Sequence, residues 1–326
     1  MAMDLSYTEG VIAVREKYLL KDRLLRLCEM TTEDAFRSLL EYGFGGGAET
    51  ASTPYEYENL IAVEEKRLEA FIREYAPKET AAAYFLASRD FHNAKALLKA
   101  KYLGVSEEKM LAGEGLIPVS VLSSCVASSD FSALQEDNPE LKTACEETLK
   151  CFEEETVSGA EIGALFDRAN MLYLTRVVKY NRLLKNFLAQ KADMLNILTA
   201  FRAANQELAE KYYLPCGTLS KAQLSALFLE NEEKLLGAFL GAPYAEFVKV
   251  CLQAKGKGLP FTDAEKRLAS FETEYFAARK YELKREEPFL YYVLRRRIEN
   301  ANVRIVFAGK LAGLRESEIK NRLRTL

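Results

Sequence analysis

Apolar positions through the middle of the chain recur at helical intervals. Between residues 140 and 214 there is no proline, and Leu165, Met171, Leu172, Leu174, Val177, Val178 and Leu183 return mostly every third or fourth residue. That spacing lays a stripe of side chains along one face of a helix and predicts long amphipathic helices. Strand-like alternation with turn dipeptides is nearly absent, and Val and Ile seldom cluster. The predicted class is therefore all-α, without a sandwich or a regular βαβ alternation. Prolines 54, 77, 118, 139, 215, 243, 260 and 288 are expected at helix starts and between helices, because proline lacks the N–H that a helix interior needs. Two connections read as loops: Tyr42–Pro54, containing Gly43-Phe44-Gly45-Gly46-Gly47, and Lys255–Pro260. The glycine run is expected to be flexible.

An acid-x-x-Asn core occurs in three places: Asp90 with Asn93, Asp193 with Asn196, and Glu299 with Asn302. The asparagines lie 103 and 106 residues apart (196 − 93 and 302 − 196), about the length of a small domain. The first and third copies agree further, with Leu97, Lys101 and Gly104 matching Val306, Lys310 and Gly313. Steps of three and four residues keep these positions on one helix face. The second copy keeps only the acid and the Asn. Ile117-Pro118-x-x-x-Leu122 and Leu214-Pro215-x-x-x-Leu219 follow two of the copies, and Ser220 to Gln223 has capping-box spacing. The repeat predicts three related helical lobes, 1–125, 126–225 and 226–326, with the C-terminal segment able to pack back on the first. Asp90, Asn93, Lys101, Asp193, Asn196, Glu299, Asn302 and Lys310 are expected to act structurally, each acid and Asn bonding neighbouring backbone or a following Lys, with direct partner contact as the alternative.

Composition narrows the function classes. Lys plus Arg is 45 and Asp plus Glu is 48, a net charge of −3, which excludes a strongly basic nucleic-acid binder. The longest stretch without a charge, Gly115–Ser129, contains Pro118 and five serines, so it cannot supply the roughly 20 apolar residues of a membrane span. The N-terminus shows no apolar core of a secretory signal, which predicts a cytosolic protein. Six cysteines are scattered without a C-x-x-C pair, as expected for reduced thiols rather than zinc ligands or a disulfide framework.

No catalytic constellation is evident. Neither the Gly43–Gly47 run nor Phe307-Ala308-Gly309-Lys310 carries the Gly-Lys-Ser/Thr ending of a phosphate loop. His92, the only histidine, reads as a helix-surface or packing residue. Glu153-Glu154-Glu155 reads as a solvated helix face. We therefore expect no catalytic, cofactor-binding or metal-binding residue. Charge is nevertheless uneven: residues 128–170 carry 11 acids and 3 bases, and residues 281–326 carry 11 bases and 6 acids. Such polarity predicts two contact faces for two different partners. Arg295-Arg296-Arg297 fans around a helix and forms no stripe for a nucleic acid.

The recurring acid-x-x-Asn helix, Phe166-Asp-Arg-x4-Tyr173, and above all Pro288-Phe-Leu-Tyr-Tyr-Val-Leu-x4-Glu299-x2-Asn302-x-Arg304-Ile-x3-Gly309-Lys310 resemble the C subunit of V-type (archaeal and bacterial A/V-type) ATP synthases, the homologue of the d subunit of the vacuolar proton pump. The resemblance implies a funnel-shaped protein of three similar lobes around a pseudo-threefold axis, without an active site or cofactor. It implies a socket that joins D- and F-type central-stalk subunits to the membrane proteolipid ring and transmits torque for H+ or Na+ transport, peripheral on the cytoplasmic face. A helical scaffold binding peptides or proteins is the rival reading.

Overall fold

Helix-forming sequence dominates the computed structural model, which describes residues 5–20, 22–104, 110–153, 159–229, 231–281 and 285–324. Among the described residues there are sixteen α-helices and no strand, as the apolar periodicity predicts. The chain begins with α1 (Leu5–Arg15), α2 (Arg23–Glu29), α3 (Thr32–Glu41) and α4 (Tyr57–Tyr75). The long α5 (Glu79–Leu103) precedes α6 (Val119–Ser128), α7 (Pro139–Glu153), α8 (Gly159–Val177) and α9 (Arg182–Arg202). Three short helices, α10 (Gln206–Tyr212), α11 (Lys221–Ala226) and α12 (Glu232–Ala238), lead to α13 (Ala245–Gly256) and α14 (Thr262–Ala277). The last two are α15 (Glu287–Leu311) and α16 (Glu316–Arg322).

Local chemistry sets these boundaries. Thr31, Asn138, Asn181, Asn205 and Asn231 each accept a backbone N–H from the first turn of the helix they precede, satisfying donors that have no partner inside the helix. Ser220 and Gln223 complete the reciprocal capping box at the start of α11. Pro118, Pro139 and Pro288 stand at helix starts, where a missing N–H costs nothing. Gly104 and Gly313 follow α5 and α15 with φ of 64° and 72°, the left-handed exit that an L side chain resists.

The chain divides into two compact units, one of Met1–Ala82 with Ala269–Leu326 and one of Ala83–Leu268. In the first, Leu27, Phe36, Leu39, Leu60 and Ile61 from α2–α4 share a core with Val303, Val306, Phe307 and Ile319 from α15 and α16. Phe307 meets Phe36 edge-on and stacks on Tyr57. The second unit buries Leu141, Phe166, Phe187, Ile197, Phe239 and Val248. Its aromatic contacts include Tyr84 edge-on to Phe187.

The glycine run is not a flexible loop. Phe44, Gly45 and Gly47 are buried, in a run of left-handed glycines from Gly43 to Gly47, and a Cβ on Gly45 would stand 2.5 Å from Leu60 Cα. Glycine is needed because its backbone lies directly on α4 at positive φ. The Gly45 N–H donates to Glu64 Oε1 at 2.9 Å.

Candidate functional site

Each repeated Asn ties its helix to a non-helical segment that follows. Asn93 Nδ2 donates to Gly113 O and its Oδ1 accepts Ala112 N–H, both at 2.8 Å. Asn196 exchanges two bonds with the backbone of Leu214, at 3.0 and 2.7 Å. Asn302 does the same with Arg324, at 3.0 and 2.8 Å. A side-chain amide thus imitates one rung of a sheet, satisfying both polar groups of a segment that has no strand beside it.

Each acid holds the backbone just ahead of a helix. Asp90 accepts the N–H groups of Leu116 and Ile117, both at 3.1 Å, before α6 begins. Asp193 Oδ1 accepts those of Thr218 and Leu219 at 2.7 and 3.0 Å, ahead of α11. Its Oδ2 also takes the hydroxyls of Thr218 and Tyr244. Glu299 accepts Leu20 N–H, ahead of α2 and 279 residues distant in sequence. Ile117 and Leu219 are therefore the equivalent positions. The matching Leu-Pro pattern suggests Leu214 for Ile117, but Leu214 is the Asn196 partner, so that alignment is off by five residues (219 − 214).

The lysines bond helix ends, not the acids. Lys101 Nζ reaches Val126 O, Ala127 O and Ser129 Oγ at the end of α6. Lys310 Nζ reaches Cys28 O and Met30 O at the end of α2. Positive charge at a helix C-terminus opposes the helix dipole and occupies carbonyls left without donors. Burial moves the Lys310 pKa below the ordinary lysine range. α5 with α6 and α15 with α2 thus share one arrangement, the acid fixing the start of the shorter helix and the lysine its end. In the second copy α9 stops at Arg202, before the position a lysine would need.

Sequence reasoning missed two glycines. A Cβ on Gly115 would stand 1.9 Å from Asp90 Oδ1, and one on Gly217 2.2 Å from Asp193 Oδ1. Gly115-Leu-Ile117 and Gly217-Thr-Leu219 repeat the signal that could have found them. Before Leu20 the matching position is Tyr18. There the acid is Glu299, one methylene longer than the aspartates of the other two copies.

A buried ion network backs the third acid. Arg296 bridges Glu299 and Glu64, which are 1% and 5% exposed. Arg67 adds a 2.7 Å bond to Glu64. The Glu299 pKa lies above the usual carboxylate range, chiefly because burial disfavours its charge, with Arg296 and the Leu20 N–H opposing. A raised folded-state pKa contributes stability below the unfolded value of about 4.3 and loses it as pH rises through the folded value. The stability of the native protein relative to Glu299→Gln is therefore expected to fall as pH rises from 4 in urea titrations. A difference that is flat or rises with pH contradicts the assignment. Asn302→Ala removes two bonds at a fully buried site and is expected to cost about 1–3 kcal/mol, read as a lower urea midpoint.

The charge segments behave unequally. In the basic one, Arg296, Arg304, Lys310 and Lys320 bond Glu64, Glu58, backbone carbonyls and Glu29 of the same unit. Arg315, Arg322 and Arg324 of the same segment are exposed. In the acidic one, Glu136, Asp137, Glu147, Glu153 and Asp167 are exposed, while Glu140 pairs with Arg176. Glu154 and Glu155 lie outside the described residues. His92 is exposed, its Nε2 2.8 Å from Met110 O. Among the described residues no group of three or more His, Cys, Asp or Glu is placed to hold a metal ion, and no helix is long and apolar enough to cross a membrane.

The described residues thus form an all-helical chain whose repeated acid, Asn and Lys side chains bond its own backbone. The model of the ATP synthase (C/AC39) subunit family matches residues 8–322, so the chain belongs to that family. Two V-type ATP synthase C subunits, from two strains of Thermus thermophilus, are each 24% identical to it over 250 residues, covering 75% of this chain and 77% of theirs.

Proposed function

We propose that the protein is the non-catalytic socket of a rotary V-type ATP synthase. It joins the central stalk to the membrane proteolipid ring and carries torque for coupled H+ or Na+ transport on the cytoplasmic face. The family match along nearly the whole chain carries this reading. The buried ties support it mechanically: a coupling body must transmit load without local unfolding, and cross-links from helix to loop raise the free energy of local opening. On this reading the three acid–Asn sites brace three related lobes.

The exposed acids of α7 and α8 fit a basic surface on one of the two partners, since complementary charge speeds docking and fixes its register. Glu147→Lys with Glu153→Lys is expected to weaken capture of either the stalk subunits or the proteolipid ring by about tenfold at low salt, and less as salt screens the contact. Thermal stability is expected to stay unchanged. Equal capture of both partners by native and variant protein across a salt series would remove the electrostatic part of the proposal.

A further inference from the structure

The first unit contains a half-open cleft of about 360 Å³ that none of the ties accounts for. Arg15 from α1, Arg67 from α4 and Arg296 from α15 line it, together with one acid, Glu64. Arg67 and Arg296 share that carboxylate, and Arg296 also holds Glu299 behind the wall. Arg15 has no ion pair among the described residues; its guanidinium lies 4.8 Å from the Phe71 ring centroid and 5.4 Å from that of Tyr75. Three cations therefore face two carboxylates, which leaves one positive charge uncompensated. The remaining lining is aromatic and aliphatic, with Tyr42, Phe44, Phe71 and Tyr292 beside Leu20 and Leu68, and Tyr18, 71% exposed.

Guanidinium groups recognise carboxylates and phosphates through paired donors, and they do so most strongly where aromatic walls keep water away. The volume falls within the roughly 300–1,000 Å³ of small-ligand sites, which are mostly apolar with a few convergent polar groups. We propose that this cleft binds a small anion in which one carboxylate or phosphate is joined to a flat apolar body. The anionic group sits against Arg15 and the exposed face of Arg67, and the flat group lies between the tyrosines. Because Tyr18 and Leu20 also line the cleft, occupancy would hold the segment that Glu299 anchors ahead of α2. The inference rests on this unit alone and stands apart from the socket role.

Titration calorimetry of the full chain with phenyl phosphate, benzoate, inorganic phosphate and benzyl alcohol tests it. Phenyl phosphate or benzoate is expected to bind saturably at one site, about tenfold or more tighter than inorganic phosphate, and benzyl alcohol not at all. The tighter of the two aromatic anions identifies the anionic group. Arg15→Gln is expected to weaken binding by about tenfold while Arg315→Gln, at the surface, leaves it unchanged. If Arg15→Gln does not fold, Tyr18→Ala serves instead, because so exposed a ring has little part in the core, and it too is expected to weaken binding. Absence of saturable binding by either aromatic anion, or undiminished binding in these cleft variants, overturns the proposal.

Discussion

Arg296→Ala is expected to lower stability by about 3–5 kcal/mol, the loss typical of removing one partner from a buried ion pair. Glu64 and Glu299 are almost wholly shielded from water, and Arg296 is the guanidinium they share. Without it Glu64 keeps Arg67 and the Gly45 N–H while Glu299 keeps the Leu20 N–H, so two carboxylates lie buried together with one cation fewer, each disfavouring the charge of the other. Arg296→Lys keeps the charge but loses the planar fork and is expected to fall between the native protein and Arg296→Ala. The triple exchange Glu64→Gln, Arg296→Met, Glu299→Gln removes all three charges and is expected to regain most of the loss, because the Arg296→Ala penalty is mainly that of stranded charge. Urea midpoints check all three. A loss below about 1 kcal/mol for Arg296→Ala at neutral pH would mean that water reaches the carboxylates or that Glu299 takes up a proton.

Gly115→Ala is expected to cost about 2–4 kcal/mol, through overpacking and through loss of hydrogen bonds to a buried carboxylate. The new methyl would occupy the space of Asp90 Oδ1, 1.9 Å away, so the loop must retreat from α5. Retreat breaks the bonds from Leu116 and Ile117 that hold the chain before α6. Asp90→Ala alone should also be costly, but the two changes together should cost clearly less than their sum, since each breaks the same tie. Strict additivity in this double-mutant cycle would separate the glycine from the acid.

The helical class was legible because apolar periodicity is a local property, as were the proline boundaries and the Ser220 capping box. The acid, Asn and Lys of the repeat were legible as positions on one helix face. Their partners were not. Glu299 bonds Leu20 and Lys310 bonds Cys28 and Met30, contacts between the two ends of the chain that no spacing within a helix can reveal. The Gly43–Gly47 run misled because glycine signals backbone freedom, whereas here it permits close approach to Leu60. The positive count of residues 281–326 does not show that Arg296 and Arg304 pair with Glu64 and Glu58, acids far away in sequence.

The socket reading is tested most directly by ATP-driven ion uptake into vesicles carrying a V-type rotary complex stripped of its C subunit. The stripped complex is expected to hydrolyse ATP without accumulating ions, and the purified chain to show no ATP hydrolysis of its own. Adding the chain is expected to restore uptake in proportion to the amount bound. Binding that leaves uptake absent, or uptake that is the same with and without the chain, would contradict the account.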